Sequence, residues 1–368
     1  MKILIIIPNI SHSGGTERAA VNLANMLEKS FYNVIILSLN SNVKDKSYYA
    51  LTDSIKVVHT GISPIPVGII DKLNWYPKSI STLKKEIKEI NPDLIFGEGH
   101  NINCMLPFIR QNKKIPVIGC EHIVFMSIPL FSRALMKLVY RHLNGLVVLS
   151  ANAKVAISGL NKNINVIPNT LPFLPEDSSS LDAKRLLLVG RLSIEKGYER
   201  LVPIAKVLKI KYPLWRIEIF GEGEQKAHLL ELYKREKVED YITINSPVKD
   251  IKNEYLKSSI YIMTSHSEAM PMVLLEAKSC GLPVIGYRCE GTAELIHNSV
   301  DGFLIDDNDS ASFIDKISIL IEDVTLRNEM GSNAKTSAFK YAPDNIINSW
   351  TLLIEELVSK MEKRIDNA

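Results

Sequence analysis

Short β-branched apolar runs alternate with helical patterns along most of the chain, and this alternation limits its fold more than any other feature. The first run, Ile3–Pro8, is followed by a helical pattern at Thr16–Ser30 and a second run at Val34–Leu39. Strands that alternate with helices in this way pair in parallel through right-handed crossovers. The first part of the chain therefore predicts an open parallel sheet covered by helices.

The pattern breaks near residues 170–183 and then restarts. Pro172, Pro175 and the acidic, serine-rich run that follows have the composition of a linker. The chain of 368 residues is also long enough for two domains. Two separate parallel sheets are therefore expected, one on each side of this break.

Each domain is predicted from its own strands and helices. In the first half these are a helix at Ser79–Ile90 and strands at Leu94–Phe96, Val117–Cys120 and Gly145–Leu149. In the second half they are a helix at Glu199–Lys211 and strands at Leu186–Val189, Trp215–Phe220, Ile242–Ile244, Ile260–Met263 and Pro283–Gly286. The predicted fold class is α/β, with two Rossmann-like parallel-sheet domains facing across a cleft. Their bounds are 1–175 and 183–340, and a helix over 344–368 packs back on the first domain.

Cysteine spacing and hydropathy exclude several protein classes. The four cysteines form no C-x-x-C pair and no zinc-like spacing, which predicts reduced thiols in a cytosolic protein. No apolar run approaches the roughly 20 residues that span a bilayer. We therefore expect a cytoplasmic protein, and a location at the inner face of the plasma membrane stays open.

Charge is divided unevenly between the two halves. Residues 1–175 carry 19 Lys and Arg against 10 Asp and Glu, a formal charge of +9, whereas residues 176–368 carry −6. A basic half can meet a membrane surface, a lipid pyrophosphate or nucleic acid, and solvated surface charge is the equal alternative. The chain has no basic stripe interleaved with aromatic residues, which argues against nucleic acid.

Two glutamates, Glu268 and Glu276, bracket the predicted start of a helix just after a strand. Pro271 suits the first helical turn. The amides of Met272 and Val273 would then be free to bind a phosphate at the helix N-terminus. Glu276 can accept both hydroxyls of a ribose, and Glu268 can accept sugar hydroxyls. The alternative is a helix-cap acid followed by a solvated acid.

The spacing of these glutamates resembles the E-x7-E signature of glycosyltransferase family 4, whose members are retaining enzymes with the GT-B fold. Further segments agree in order along nearly the whole chain: Gly14–Arg18, Glu121-His122, Pro168-Asn169, Gly190–Leu192, Glu195–Gly197, Gly221–Gly223 and Gly291–Glu294. The residue after the first glutamate is often glycine in the family and is Ala269 in this chain. That departure affects the backbone path beside the sugar.

The resemblance assigns roles to residues of this sequence. It implies that Arg191 and Lys196 neutralise a leaving nucleoside diphosphate. It also implies that His122 hydrogen-bonds the donor sugar and stabilises charge near the anomeric carbon. Glu268 completes the set expected to be catalytic. The expected donor-binding residues are Gly14, Gly15, Arg191, Lys196, Val248, Glu268, Ala269, Met270, Met272, Val273 and Glu276.

Each of these residues has a plainer alternative. Arg191 can pair with a buried acid and Lys196 can be solvated. The Gly14-Gly15 loop lacks the G-x-G-x-x-G dinucleotide fingerprint and can be a simple turn. A lone histidine such as His122 is often structural. His100, at another strand end, is a weaker candidate for the acceptor side.

A basic amphipathic helix is predicted over residues 128–143. Arg133, Lys137 and Arg141 recur at four-residue steps and so share one face, which suits an anionic membrane surface. The alternative is a domain helix with a solvated face.

The expected function is transfer of a hexose or N-acetylhexosamine, with retention, from a nucleoside diphosphate sugar to a glycan acceptor. The resemblance favours a UDP-sugar, and a polyprenyl-diphosphate-linked acceptor in surface polysaccharide biosynthesis. No carboxylate cluster suits a metal, so no metal and no cofactor beyond the donor are expected. The alternatives are a non-catalytic nucleotide-sugar-binding protein and a nucleotide-sugar epimerase on the same scaffold.

Overall fold

A computed structural model describes residues 1–66, 68–112 and 114–366. The chain divides into two compact units, Met1–Thr170 with Pro343–Ala368, and Leu171–Ala342. Residues 171–182, which have a linker-like composition, belong to the second unit.

The first unit is built on a parallel sheet of seven strands in the order β3-β2-β1-β4-β5-β6-β7. The strands are β1 (Lys2–Ile7), β2 (Asn33–Ser38), β3 (Lys56–His59), β4 (Leu94–Glu98), β5 (Val117–Cys120), β6 (Gly145–Val148) and β7 (Ile164–Val166). Residues Ile3 to Ile7 of β1 are buried on both faces of the sheet. A central parallel strand covered on both faces needs such a continuous apolar run, which is why the sequence signal was strong there.

Helices cover both faces of this sheet. They are α1 (Gly15–Lys29), α2 (Ile69–Ile90), α3 (His100–Asn103), α4 (Leu106–Ile109), α5 (Leu130–Val139) and α6 (Ala151–Ala156). Leu83 and Ile87 of α2 enter the apolar core on one face, and Leu23 and Leu27 of α1 enter the core on the other.

The second unit repeats the architecture with six parallel strands in the order β10-β9-β8-β11-β12-β13. The strands are β8 (Arg185–Val189), β9 (Arg216–Phe220), β10 (Ile242–Asn245), β11 (Ile260–Met263), β12 (Val284–Tyr287) and β13 (Gly302–Ile305). The helices are α7 (Leu201–Lys211), α8 (Lys226–Arg235), α9 (Ile251–Leu256), α10 (Met272–Ser279), α11 (Glu290–Leu295), α12 (Ser310–Glu322) and α13 (Val324–Ala338). The α/β class with two Rossmann-like parallel sheets is thereby confirmed.

The last helix, α14 (Pro343–Asp366), returns to the first unit. Trp350 packs edge-to-face on Phe96 of β4 with ring centroids 5.4 Å apart. Leu353, Ile354 and Leu357 are buried in the same apolar cluster. Residues 367 and 368 of the predicted helix lie outside the described residues.

Several element boundaries differ from the sequence prediction. Three strands were not predicted, namely β3, β7 and β13, and each lies at the edge of its sheet. Helix α2 begins ten residues before the predicted Ser79, and Pro77 lies inside the helix. The predicted helix over 128–143 is shorter, since α5 ends at Val139 and a 3₁₀ turn covers Tyr140–His142. Within the described chain, no helix is both long and apolar enough to cross a bilayer.

Candidate functional site

The loops that follow β8 and β11 meet in the second unit and bring two predicted site residues into contact. Lys196 Nζ lies 2.5 Å from Glu268 Oε1, and the Ser265 hydroxyl donates to the same oxygen at 2.8 Å. Both partners of the ion pair are mostly buried. The predicted phosphate-binding cation and sugar-binding acid therefore form one cluster.

Backbone contacts hold these two loops together. The amide of His266 donates to the Glu195 carbonyl at 2.8 Å, and the Thr264 hydroxyl donates to the Lys196 carbonyl at 3.1 Å. Gly197 has a φ of +62°, and a Cβ there would overlap the Thr264 carbonyl oxygen. Only glycine allows so close an approach in this conformation, so Gly197 fixes the position of Lys196.

Arg191 is engaged by its own loop. Its guanidinium donates to Glu195 Oε1 at 2.7 Å, and both side chains are exposed. Partial burial raises the pKa of Glu195, but the hydrogen bond and charge of Arg191 outweigh that effect and lower the pKa to about 2. Glu195 is therefore ionised at neutral pH, and a bound anion would compete with it for Arg191.

Helix α10 begins one residue later than predicted, because Pro271 is its N-cap and not part of its first turn. The Pro271 carbonyl accepts from the amides of Leu274 and Leu275, at 3.1 and 3.4 Å. The amides of Met272 and Val273 precede these and belong to the first turn, where no earlier helical carbonyl can accept from them. The predicted phosphate-facing amides are therefore at the helix N-terminus.

Glu276 is not a solvated acid. It lies on α10 with none of its surface exposed, and the Tyr255 hydroxyl donates to its Oε2 at 3.0 Å. A ribose could reach this carboxylate only after local rearrangement of the surrounding side chains.

A buried ion pair anchors the far end of α10. Lys278 Nζ lies 2.8 Å from Asp301 Oδ2 and donates to the Leu295 carbonyl at 2.5 Å. Burial opposes ionisation of Asp301, but Lys278, His297 and Ser337 together hold its pKa below its ordinary value. The helix that carries Glu276 is thus held by charge as well as by apolar packing.

The other predicted donor residues of the second unit lie in loops beside these elements. Ala269 and Met270 connect Glu268 to α10, and Met270 is buried. Gly291, at the start of α11, donates to the Glu268 carbonyl at 2.7 Å. Val248 follows β10 and is partly exposed.

Gly14, Gly15 and His122 belong to the first unit. Gly14 is the N-cap of α1, and a Cβ at this position would overlap the Glu17 carboxylate. A Cβ at Gly15 would meet open space. The loop is therefore close-packed at Gly14 and accessible at Gly15.

His122 forms a contact that the sequence did not predict. Its Nε2 hydrogen-bonds Oε2 of Glu98, the last residue of β4. Burial would lower the pKa of His122, but the hydrogen bond and charge of Glu98, with the charges of Glu121 and Glu17, raise it overall. Within the described chain, the buried atoms His122 Nδ1 and Glu98 Oε1 find no hydrogen-bond partner. Each such atom costs about 1–3 kcal/mol, a cost that structures tend to retain at functional sites.

A second buried acid lies beside this pair. Glu121 Oε1 accepts from Asn103 Nδ2 at 2.7 Å and from the Tyr140 hydroxyl. Burial raises the pKa of Glu121 to about 7, although both hydrogen bonds favour the ionised form. The first unit therefore places the charges of Glu98, Glu121 and His122 close enough together to shift the ionisation of Glu121 and of His122.

A cavity of about 200 Å³ opens beside Glu98 and His122 in the first unit. Its wall includes Glu98, His100, His122 and Trp75. Burial lowers the pKa of His100, which favours a neutral ring. His100, the weaker candidate of the sequence prediction, therefore shares a cavity with His122.

Sequence reasoning missed Glu98, Tyr255 and Ser265. Glu98 had a usable signal, because it is an acid at the carboxyl end of a predicted strand. Tyr255 and Ser265 had none, since a tyrosine in a helix and a serine in a loop are common everywhere.

Comparison with known proteins decides the family. Residues 13–172 match the sequence model described as Glycosyltransferase Family 4, and residues 174–337 match the one described as Glycosyl transferases group 1. The amylovoran biosynthesis glycosyltransferase AmsD of Erwinia amylovora is 32% identical over 365 residues, which cover 95% of this chain and 98% of AmsD. The chain belongs to glycosyltransferase family 4.

Further similarities agree with this membership. An α-1,4-N-acetyl-D-galactosaminyltransferase of Campylobacter jejuni is 28% identical, with 97% of this chain and 99% of that relative covered. A crystal structure of an S. aureus TarM mutant superposes with a TM-score of 0.82 at 13% identity, covering 96% of this chain and 99% of the other. At that identity the likeness shows the fold, which is GT-B. This family 4 member is therefore a glycosyltransferase by class.

Proposed function

We propose that this glycosyltransferase moves a hexose or N-acetylhexosamine from a nucleoside diphosphate sugar, most simply a UDP-sugar, to a glycan acceptor. The observation that supports this most is the contact between Lys196 and Glu268 directly before the N-terminus of α10, with Glu276 on the same helix. A cation, the N-terminal amides of α10 and two acids, one before the helix and one on it, match the phosphates and hydroxyls of such a donor.

The proposed chemistry is a group transfer without a co-reactant. The bond between the anomeric carbon and the diphosphate oxygen breaks, and a bond to the acceptor oxygen forms. The proton of the acceptor hydroxyl passes to the leaving phosphate. Lys196, Arg191 and the amides of Met272 and Val273 stabilise the charge that develops on the leaving diphosphate.

Each remaining residue has a role in the donor complex. Glu268 accepts hydroxyls of the transferred sugar, and Glu276 accepts the ribose diol after the rearrangement that exposes its carboxylate. His122 hydrogen-bonds the sugar near the anomeric carbon. Gly15, where the loop is open, lets the backbone approach the donor. Val248, Ala269 and Met270 line the donor as backbone contacts.

Retention at the anomeric carbon and independence of metal are further parts of the proposal. Charge neutralisation is assigned to Lys196, Arg191 and a helix N-terminus, which leaves no step that needs a divalent ion. Among the described residues, no group of three or more His, Cys, Asp or Glu could hold a metal ion.

A lipid-linked acceptor in surface polysaccharide assembly is the favoured substrate class. The Campylobacter relative is named for a glycan on PP-undecaprenol, and AmsD is named for amylovoran biosynthesis. On the first unit, Leu130 and Phe131 are exposed beside Arg133 and Lys137. An apolar and basic surface of this kind suits peripheral contact with an anionic bilayer at the cytoplasmic face.

The proposal is tested by incubating the protein with UDP-, GDP- and ADP-sugars and a polyprenyl-diphosphate-linked glycan, in buffer with EDTA. We expect mass spectrometry to show addition of one sugar, and NMR of the product to show retained anomeric configuration. Glu276→Gln should reduce transfer by about 100-fold or more, because the donor loses a charged acceptor of its hydroxyls.

Glu236→Gln is the matched control, because Glu236 pairs with Lys206 on the surface of the same unit. We expect this variant to transfer sugar at the wild-type rate. Thermal melting shows whether each variant is folded. Donor hydrolysis or epimerisation without any acceptor product, or transfer that requires a divalent metal, would contradict the corresponding part of the proposal.

A further inference from the structure

Glu98 is a buried acid to which the proposed chemistry assigns no role. It ends β4, and the strand register pairs it with Cys120 at the end of β5. His122 follows two residues later. The exposed fractions of the two side chains are 1% for Glu98 and 10% for His122. The pairing of β4 with β5 in the sheet of the first unit therefore brings Glu98 Oε2 and His122 Nε2 into contact.

We propose that Glu98 is a positioning residue for His122. Its carboxylate accepts the Nε2 proton, which fixes the ring plane and leaves Nδ1 as the nitrogen that receives a sugar hydroxyl. This inference rests on the proposed function, because it takes the contact of His122 with the transferred sugar from that function.

The unpartnered nitrogen supports this arrangement. In a neutral imidazole one nitrogen carries the proton and the other accepts. With the proton held at Nε2 by Glu98, Nδ1 carries the lone pair, and it has no hydrogen-bond partner within the described residues. A sugar hydroxyl can donate to such a nitrogen and can also accept a hydrogen bond elsewhere.

Charge around the ring comes from several elements. Glu98 faces His122 from β4, Glu121 from the residue after β5, and Glu17 from α1. His100 of α3 shares the cavity wall. The three carboxylates favour the protonated ring, so they raise the pKa of His122, and Glu98 has the largest effect of the three.

This arrangement makes a prediction about pH. If Nδ1 must accept, transfer requires the neutral ring, and activity falls as pH drops through the pKa of His122. Removing the charge of Glu98 lowers that pKa. The acid limb of the pH profile of kcat should therefore move to lower pH in Glu98→Gln. If the role of Glu98 were purely structural, its substitution would leave the acid limb at the same pH.

The experiment compares wild type, Glu98→Gln and Glu98→Ala in the transfer assay. Glutamine retains the shape and an acceptor oxygen, so we expect a moderate loss of kcat and the shifted limb. Alanine also loses the positioning contact, and we expect kcat to fall about 10- to 100-fold with a smaller change in KM. Titration of ¹⁵N-histidine signals by NMR, assigned with His122→Gln, should show the same downward pKa shift without reference to activity.

Glu121→Gln is the control for a carboxylate that acts on His122 through its charge but does not contact the ring. It removes a neighbouring carboxylate that does not hydrogen-bond His122, so its shift of the limb should be smaller than that of Glu98→Gln. If wild type transfers sugar and Glu98→Gln keeps the wild-type kcat and acid limb, the positioning role is wrong. If wild type transfers no sugar from any donor, the proposed function itself fails, and the NMR titration still decides whether Glu98 controls His122.

Discussion

Lys196 and Arg191, the two cations expected to meet the donor diphosphate, are each paired with a carboxylate in the same unit. The exposed Arg191–Glu195 pair stabilises the fold by about 0–1 kcal/mol, so this contact is not needed for folding. The Lys196–Glu268 pair is mostly buried, and removing one partner would leave a buried charge unpaired. A diphosphate carries more than one negative charge and outcompetes a single carboxylate for either cation. Under the proposed function, we therefore expect the acids to position the cations and to release them when the diphosphate binds.

Gly197 allows a test at the scale of one residue. In Gly197→Ala the left-handed conformation costs about 1–2 kcal/mol, and overlap with the Thr264 carbonyl adds to this. The substitution should also displace Lys196. We expect a lower midpoint of urea unfolding for the second unit and weaker binding of UDP by calorimetry.

Gly159→Ala is the matched control for Gly197→Ala. A Cβ at Gly159 meets no atom within 4 Å, and Gly159 lies in a turn of the first unit. This variant should retain both the wild-type midpoint and the wild-type affinity for UDP. An unchanged midpoint in Gly197→Ala would show that the loop is not held as described.

The site residues around the start of α10 could be predicted as a group because they are close along the chain. Glu268, Met272 and Glu276 fall within nine residues around one helix start, so the spacing alone brings them together. Glu98 and His122 are 24 residues apart, and their contact depends on the register between two strands. That register is not visible in a single sequence.

At the scale of elements, α5 combines exposed apolar and basic side chains. Leu130 is 76% exposed and Phe131 is 74% exposed, and Lys137 is exposed on the same helix. The double substitution Leu130→Ser and Phe131→Ser should weaken binding to vesicles that contain anionic lipid by about tenfold or more, because two apolar side chains no longer enter the bilayer interface. Vesicle flotation measures the bound fraction.

The control for the α5 variant is Val207→Ser with Ile210→Ser on α7. These side chains are also exposed and apolar but belong to the second unit. Equal loss of binding in the two double variants, or equal binding to neutral and anionic vesicles, would remove α5 as the membrane-contacting element.

Elements were predicted best where both faces are covered. The central strands β1, β5 and β11 have continuous apolar runs that few other structures allow. The edge strand β3 has one exposed and three partly buried side chains, so its pattern is weak. Helix α2 begins before its predicted start and contains Pro77, although proline is unfavourable inside a helix.

On the scale of the whole molecule, the first unit depends on residues from both ends of the chain. Trp350 of α14 is 7% exposed and packs on Phe96. Trp350→Ala should destabilise the first unit by about 3–5 kcal/mol through the cavity that it leaves. Calorimetry should show a lower melting temperature for the first unit, while the UDP-dependent stabilisation of the second unit is retained.

Leu352→Ala is the matched control, because Leu352 lies on the same helix and is 66% exposed. Its melting behaviour should match wild type. If Trp350→Ala also melts like wild type, α14 contributes little to the first unit.

The return of α14 also affects how the protein is made and how its halves can be exchanged. During synthesis the ribosome completes the whole of the second unit before it makes α14. The apolar surface around Phe96 therefore stays uncovered until α14 has been synthesised. A single recombination crossover at residue 170 would give the first unit the final helix of another protein. Exchange of a complete second unit needs two crossovers, one near Thr170 and one near Pro343.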